Sequence, residues 1–133
     1  MNTSTEYAVL LLRVSLGLMF LAHGLLLKVF TFGLTGTSQW FVSAGFPGWL
    51  AYVVCFMEII GGLLLILGVC TRWVALALLP ILLGAAFIHW PNGWVFSAPN
   101  GGWEYPVFLA AMTVVQSLLG NGAYSLQKKA TTT

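Results

Sequence analysis

The charged residues that lie inside or beside long apolar segments are the first candidates for chemistry in this chain. Glu58 is the only charge in the apolar run from Trp49 to Val69, and Arg13 lies inside the first apolar run of the sequence. A charged side chain at the centre of a membrane helix costs about 2.5 to 3.5 kcal/mol or more, so such residues are usually paired and functional. We therefore take Glu58 as a candidate catalytic residue and Arg13 as a candidate ligand-binding residue.

Both charges lie on helix faces that carry small residues, which mark the places where neighbouring membrane helices approach closely. Gly61 and Gly62 follow Glu58 by one turn. At about 100° per residue, one stripe of the first span contains Arg13, Gly17, Phe20 and Gly24. We predict that these two faces meet and that Arg13 holds Glu58 ionised or fixes its position. Two interpretations stay open: a buried pair that sets helix register, or an acid that handles protons or orients a ligand.

A second group of polar residues is predicted at the opposite ends of the spans. His23 lies near the end of the first span, His89 lies at a similar height on the third, and Glu104 begins the fourth. Together with Lys28 they could converge beneath a cover of aromatic residues that includes Trp103. We predict ligand-binding roles for His23, His89, Lys28 and Trp103, and a catalytic role for Glu104 as a proton relay.

Three kinds of site would explain two histidines on separate helices. In order of preference they are a site for a quinone or another small apolar ligand, a bis-histidine haem, and a metal site. No metal site is predicted, because two histidines without further ligands are a weak signal. The sequence contains no Cys-x-x-Cys motif and no Gly-x-Ser-x-Gly elbow, so redox chemistry would need a bound cofactor or a partner subunit.

The composition determines which elements position these residues. The 133 residues are 59% hydrophobic and only 6% charged, which excludes a water-soluble domain. We predict one membrane domain, residues 1–133, that folds as an all-α four-helix bundle with spans at about 7–30, 49–69, 73–89 and 104–119. A net charge of +2 is too small to indicate a nucleic-acid partner.

The distribution of basic residues predicts the orientation of the chain. Arg72, Lys128 and Lys129 all fall on the side of the two termini, and the opposite loops carry only Lys28 at their edge. The positive-inside bias therefore predicts a multi-pass protein of the bacterial inner membrane with both termini in the cytoplasm. The two outward connections, residues 31–48 and 90–103, are rich in aromatic residues and are predicted to be loops. The turn-forming stretches 90–94 and 99–103 are predicted to fold over the bundle as a cap.

A weak internal repeat accompanies these loops. The first and third spans each end near a histidine, and the second and fourth each begin with a Gly-Trp pair, Gly48-Trp49 and Gly102-Trp103. This pattern suggests two helical hairpins related as parallel repeats.

Three segments together resemble the DoxX family of small bacterial inner-membrane proteins. They are residues 12–24 (LRVSLGLMFLAHG), residues 57–68 (MEIIGGLLLILG) followed by Thr71-Arg72, and residues 102–106 (GWEYP). The resemblance implies a four-helix membrane bundle and an association with redox chemistry, since relatives are described as membrane subunits of thiosulfate:quinone oxidoreductase or of other oxidoreductase complexes. It assigns no role to individual residues.

Taken together, these patterns favour a membrane subunit of a quinone-linked oxidoreductase system that works beside other membrane or redox subunits in the lipid bilayer. One alternative is a small structural subunit without catalytic activity, whose glycine and aromatic faces bind larger subunits. A second alternative is a carrier of small apolar compounds. The sequence by itself does not establish that the chain is an enzyme.

Overall fold

Helices make up the regular structure of residues 2–127, the part of the chain that the computed structural model describes. No strand occurs in this range, so the prediction of an all-α helical bundle is confirmed. The elements are α1 (Thr3–Leu21), which continues as a π-helical segment (Ala22–Thr31), then α2 (Gly33–Ser43), α3 (Gly48–Leu67), α4 (Thr71–His89), a 3₁₀ turn (Trp90–Asn92) and α5 (Glu104–Leu119).

Three of these helical stretches are long and apolar enough to cross a membrane. They comprise 29 residues (α1 with the π-helical segment), 20 residues (α3) and 22 residues (α4 with the 3₁₀ turn). The apolar helix α5 has 16 residues, hence a length of about 24 Å at 1.5 Å per residue. Large apolar side chains such as Phe56, Phe87 and Leu118 are exposed, as expected for surfaces that contact lipid. The chain is a membrane protein, and the number of passes and their orientation stay predictions.

The helices pack as two pairs, α1 with α3 and α4 with α5. Glycines allow the backbones of α1 and α3 to touch: a Cβ atom on Gly17 or on Gly62 would lie 2.7 Å from the carbonyl oxygen of the other residue. A Cβ atom on Gly61 would lie 2.9 Å from Leu78 Cδ1 of α4. The faces that carry Arg13 and Glu58 therefore pack together as predicted. The relation of the two pairs as repeats stays a prediction.

One end of the bundle, here called the closed end, is formed by Glu6, Leu67 and residues 120–127. The Ala123 amide donates to the Glu6 carbonyl (3.2 Å), and the Leu126 amide donates to the Leu67 carbonyl (2.7 Å). Gln127 Oε1 accepts a hydrogen bond from the Cys70 amide at 2.6 Å. Both ends of the described chain therefore lie at the closed end. Lys128 and Lys129, which contributed to the predicted orientation, lie outside the described residues.

The other end, here called the cavity end, is formed by the π-helical segment, α2 and residues 90–103. The prediction of a loop over residues 31–48 is wrong in part, because α2 occupies most of it. Two glycines and two threonines give this stretch a low intrinsic helix propensity, and tertiary hydrogen bonds hold it in place. Ser38 Oγ donates to the Gly48 carbonyl (3.0 Å), and Thr37 Oγ1 donates to the Lys28 carbonyl (3.1 Å).

Candidate functional site

A cavity of about 520 Å³ lies at the cavity end between the helices. Its lining is mainly apolar, and aromatic side chains of α2 and the following turn cover it. Five ionisable residues on four different helical elements line it, namely His23, Lys28, Glu58, His89 and Tyr105. The other lining residues include Met19, Phe20, Trp40, Phe41, Phe46, Met57, Pro80 and Gly84.

Glu58 forms an ion pair with Lys28 in this cavity. Lys28 Nζ lies 2.7 Å from Glu58 Oε1, and the two side chains are 19% and 4% exposed. The contact therefore places a cation at hydrogen-bonding distance from the buried carboxylate. The predicted pairing of Glu58 with Arg13 is therefore wrong, and Lys28 is the residue that compensates the buried carboxylate.

The π-helical segment carries Lys28 to this position. Its wider turns are visible at its end, where the Phe32 amide donates to the Leu27 carbonyl five residues earlier (2.8 Å). Gly24 lets the segment approach α3 closely, because a Cβ atom there would lie 3.0 Å from Glu58 Cβ. The Cys55 thiol donates to the Gly24 carbonyl at 3.4 Å. Stretches of π-helix are frequent at functional sites, where they turn a side chain away from the position that α-helical spacing would give it.

Arg13 lies outside the cavity, at the closed end, and its predicted role in ligand binding is not supported by this position. It is fully buried. Its terminal nitrogens donate to four backbone carbonyl oxygens at 2.8 to 3.3 Å, those of Leu65, Ile66, Ala123 and Tyr124. Two of these carbonyls belong to the last turn of α3, where a cation is favoured by the helix dipole. Arg13 therefore joins α1, α3 and the segment 120–127.

His23 is oriented by its own helix and by α5. Its Nδ1 lies 2.8 Å from the Met19 carbonyl oxygen, and because a carbonyl oxygen only accepts hydrogen bonds, Nδ1 must carry the proton. Its ring stacks on the ring of Tyr105 at a centroid distance of 6.0 Å and an interplanar angle of 24°. The Tyr105 hydroxyl in turn donates to Met19 Sδ (3.7 Å). In the neutral ring, Nε2 is then the free nitrogen and acts as an acceptor.

His89 lies between this cavity and a second one of about 730 Å³, and it lines both. Its Nδ1 is buried and has no hydrogen-bond partner. Glu104 lines only the second cavity, where its Oε1 accepts a hydrogen bond from the Phe96 amide (3.2 Å). A buried polar atom without a partner in a cavity wall is an available hydrogen-bonding position for a ligand.

The predicted site residues are thus divided among four places. His23, Lys28, Glu58 and His89 share the first cavity, and Glu104 lies on the second. Trp103 lines neither cavity and stacks instead on Trp90, with ring centroids 4.7 Å apart. Arg13 lies at the closed end. Among residues 2–127, no group of three or more His, Cys, Asp or Glu side chains is placed to hold a metal ion.

Sequence reasoning missed three residues that shape the first cavity. Tyr105 stacks on His23 and lines both cavities, and the only signal for it was its place next to Glu104 at the start of a span. Pro80 and Gly84 lie one turn apart on α4 and also line the first cavity. A Cβ atom on Gly84 would find no heavy atom within 4 Å, which shows that the glycine borders open space.

Known proteins resemble the part of the chain that forms most of this cavity. The DoxX family model matches residues 8–90, a range that includes His23, Lys28, Glu58 and His89. A protein of Bacillus subtilis (strain 168) named "Putative oxidoreductase CatD" is 45% identical over 85 residues, which are 64% of this chain and 61% of that relative's length. No solved structure matches the chain. Because the family model matches more than half of the residues, this membrane protein belongs to the DoxX family.

Proposed function

We propose that the chain is a membrane subunit of a quinone-linked oxidoreductase system and that its first cavity holds the quinone head group. The observation that carries this proposal is the composition of the cavity wall. Ligand sites of about 300 to 1,000 Å³ are usually lined by apolar and aromatic side chains with a few polar groups, and this cavity of about 520 Å³ has five ionisable side chains in such a wall. Its lining includes Lys28, Glu58 and the two histidines.

The chemistry of a quinone fits these groups. Reduction of a quinone to a hydroquinone consumes two electrons and two protons, and the ring oxygens are the atoms that gain the protons. His23, His89 and Glu58 are side chains that exchange protons, and Lys28 is a hydrogen-bond donor for an oxygen. In this proposal the electrons come from, or go to, a redox centre in a partner protein. The name of the Bacillus subtilis relative supports an oxidoreductase system in general and says nothing about a quinone.

The purely structural alternative has less support from the packing. It assigns the glycine faces to contacts with larger subunits, whereas Gly17, Gly61 and Gly62 are all in contact with other helices of the same chain. It also leaves the five ionisable residues in the cavity wall without a purpose. The proposal retains a partner protein, because electron transfer needs one, and it retains the inner-membrane location with both termini in the cytoplasm.

The experiment that tests this function is to purify the full chain in native membrane lipid and to quantify the quinone that is extracted with it by mass spectrometry. We expect close to one quinone per chain, and a strong reduction in His89→Phe, which removes the unpaired Nδ1 and retains an aromatic ring. Cys70→Ser is the matched control, because Cys70 is exposed at the closed end, away from the cavity.

Other outcomes of the same measurement would contradict the proposal. A preparation that contains no quinone and always contains the same partner subunits would identify a structural subunit. A preparation that carries varied small apolar compounds, with no preference for quinones, would identify a carrier.

A further inference from the structure

The hydrogen bond between His23 and the Met19 carbonyl determines which hydrogen-bonding role His23 can have in the first cavity. Because Nδ1 donates to that carbonyl at 2.8 Å, the neutral ring presents Nε2 without a proton. Nε2 can then accept a hydrogen bond from a ligand but cannot donate one. The stacking of the ring on Tyr105 limits its rotation, which keeps this assignment in place.

The other polar groups of the cavity include acceptors and donors. Glu58 Oε1 lies 2.7 Å from Lys28 Nζ, and a carboxylate oxygen in such a pair can accept a further hydrogen bond. His89 Nδ1 is buried and has no partner. Lys28 lies 2.7 Å from Glu58, and Trp40 is a second lining residue whose side chain only donates. The lining therefore contains donors as well as acceptors, and His23 Nε2 is an acceptor that only a ligand with a donor can satisfy.

The oxidised and the reduced form of a quinone differ in whether they can donate hydrogen bonds. A quinone carbonyl oxygen only accepts hydrogen bonds, so it could satisfy Lys28 and no acceptor. A hydroquinone hydroxyl donates one hydrogen bond and still accepts others, so it could donate to His23 Nε2 or to Glu58 while it accepts from Lys28. The complex with the quinone therefore lacks the hydrogen bond to His23 Nε2 that the hydroquinone can form.

We infer that the cavity binds the reduced, hydroxyl-bearing ring more tightly than the oxidised ring, and that His23 Nε2 is the acceptor that determines this preference. The inference rests on the proposed function, because it refines the ligand of the same cavity. One additional hydrogen bond of about 1.4 kcal/mol corresponds to a tenfold difference in affinity. A tenfold preference for the reduced form raises the midpoint potential of the bound two-electron couple by about 30 mV.

The test compares three ligands with the same ring. Duroquinone has two carbonyl acceptors, durohydroquinone has two hydroxyl donors, and the dimethyl ether of durohydroquinone keeps the oxygens but has no donor. Their dissociation constants are measured without oxygen, on the full chain in lipid nanodiscs, at a pH well above the ordinary histidine value of about 6.5. We expect durohydroquinone to bind about tenfold more tightly than duroquinone and than the ether.

The variant His23→Phe keeps an aromatic ring beside Tyr105 and removes the acceptor. We expect it to bind durohydroquinone about tenfold more weakly and to bind the ether as the native chain does. An equal loss for the ether would show that His23 only supports the shape of the cavity, which overturns the inference. If His23→Phe does not fold, the comparison of the three ligands on the native chain still decides whether the reduced form is preferred.

The outcomes separate this inference from the proposed function. Equal binding of duroquinone and durohydroquinone, or tighter binding of duroquinone, overturns the inference and leaves a quinone site in place. If the preference persists in His23→Phe and disappears in His89→Phe, the acceptor is His89 and not His23. This result also overturns the inference. If none of the three ligands binds, both the inference and the proposed function fail.

Discussion

At the scale of single residues, Glu58 and Arg13 show two different ways to accommodate a charge inside a membrane protein. Both are almost completely buried. Glu58 is compensated by one cation, Lys28, and lies in a cavity wall. Arg13 is compensated by neutral carbonyl dipoles at a helix end and lies in closely packed surroundings. Only the first arrangement leaves a charged group accessible to a ligand.

We expect Glu58→Gln to leave the bundle folded and to lower quinone-linked turnover about a hundredfold, because the amide cannot exchange a proton. The change also leaves the Lys28 ammonium without its counterion, which should lower the free energy of unfolding by about 1 to 3 kcal/mol. Turnover is measured on membranes from cells that produce the variant in place of the native chain, and stability is measured in detergent.

The double variant Lys28→Met, Glu58→Gln is the control for this prediction. It removes both charges, so stability should recover while turnover stays low. Recovery of turnover together with stability would mean that Glu58 acts only through packing.

The second prediction at this scale concerns Arg13. Arg13→Lys keeps the charge but removes the planar guanidinium, which donates to four carbonyl oxygens. The lysine that replaces it has only one nitrogen as donor. The free energy of unfolding should fall by about 2 to 4 kcal/mol, whereas quinone binding by the folded fraction should be unchanged. Arg72→Lys is the matched control, because Arg72 is exposed and its side chain donates one hydrogen bond, to the Ser117 carbonyl, at 3.0 Å. Equal losses for the two variants would contradict the role assigned to Arg13.

At the scale of helices, α-helical spacing explains part of the site and fails where the helix changes. Arg13, Gly17 and Phe20 are buried as their spacing predicts, because α1 is regular up to Leu21. Beyond that point the chain is π-helical, and its hydrogen bonds run over five residues. Sequence periodicity could not predict this change, so it could not identify Lys28 as the partner of Glu58.

The contact between α1 and α3 gives a prediction about helix packing. A Cβ atom on Gly62 would lie 2.7 Å from the Gly17 carbonyl oxygen and 2.9 Å from the Leu21 amide nitrogen, both of which are backbone atoms that cannot rotate away. We therefore expect Gly62→Ala to separate the two helices and to lower the free energy of unfolding by about 1 to 3 kcal/mol.

Gly36→Ala is the control, because Gly36 lies in α2 and a Cβ atom there would meet nothing within 4 Å. This variant should be neutral or more stable by up to about 1 kcal/mol, since alanine has the higher helix propensity. Thermal unfolding of both variants in the same detergent makes the comparison. A Gly62→Ala chain as stable as the native one would show that the helices can separate without loss.

At the scale of the whole molecule, the sequence predicts the long helices and the polar residues at their ends better than it predicts which of these residues share a cavity. His23 and His89 share a cavity, as their similar heights on two spans suggest. The position of Glu104 on a separate cavity depends on the path of residues 90–103, which no periodicity describes. The helix α2 was not predicted either. Its sequence has a weak intrinsic helix propensity, and the tertiary hydrogen bonds that stabilise it leave no pattern in the sequence.

The orientation of the molecule can be tested with its own cysteines. Cys70 is exposed at the closed end and Cys55 is buried. If both termini are cytoplasmic, a membrane-impermeant maleimide should label Cys70 only after the cells are permeabilised. In a Cys70→Ser background, Ser97→Cys places a thiol on an exposed position of the cavity end, and it should be labelled in intact cells. Labelling of Cys70 in intact cells would reverse the predicted orientation.

The contacts of Arg13 also impose an order on the biogenesis of the chain. Two of its four carbonyl partners, Ala123 and Tyr124, are synthesised about 110 residues after it. While the ribosome still adds those residues, the guanidinium of the nascent first helix can be only partly satisfied by α3. A segment synthesised much later therefore supplies two of the four hydrogen bonds of Arg13, and a chain released before residue 123 would expose a less satisfied arginine to the cell's membrane proteases.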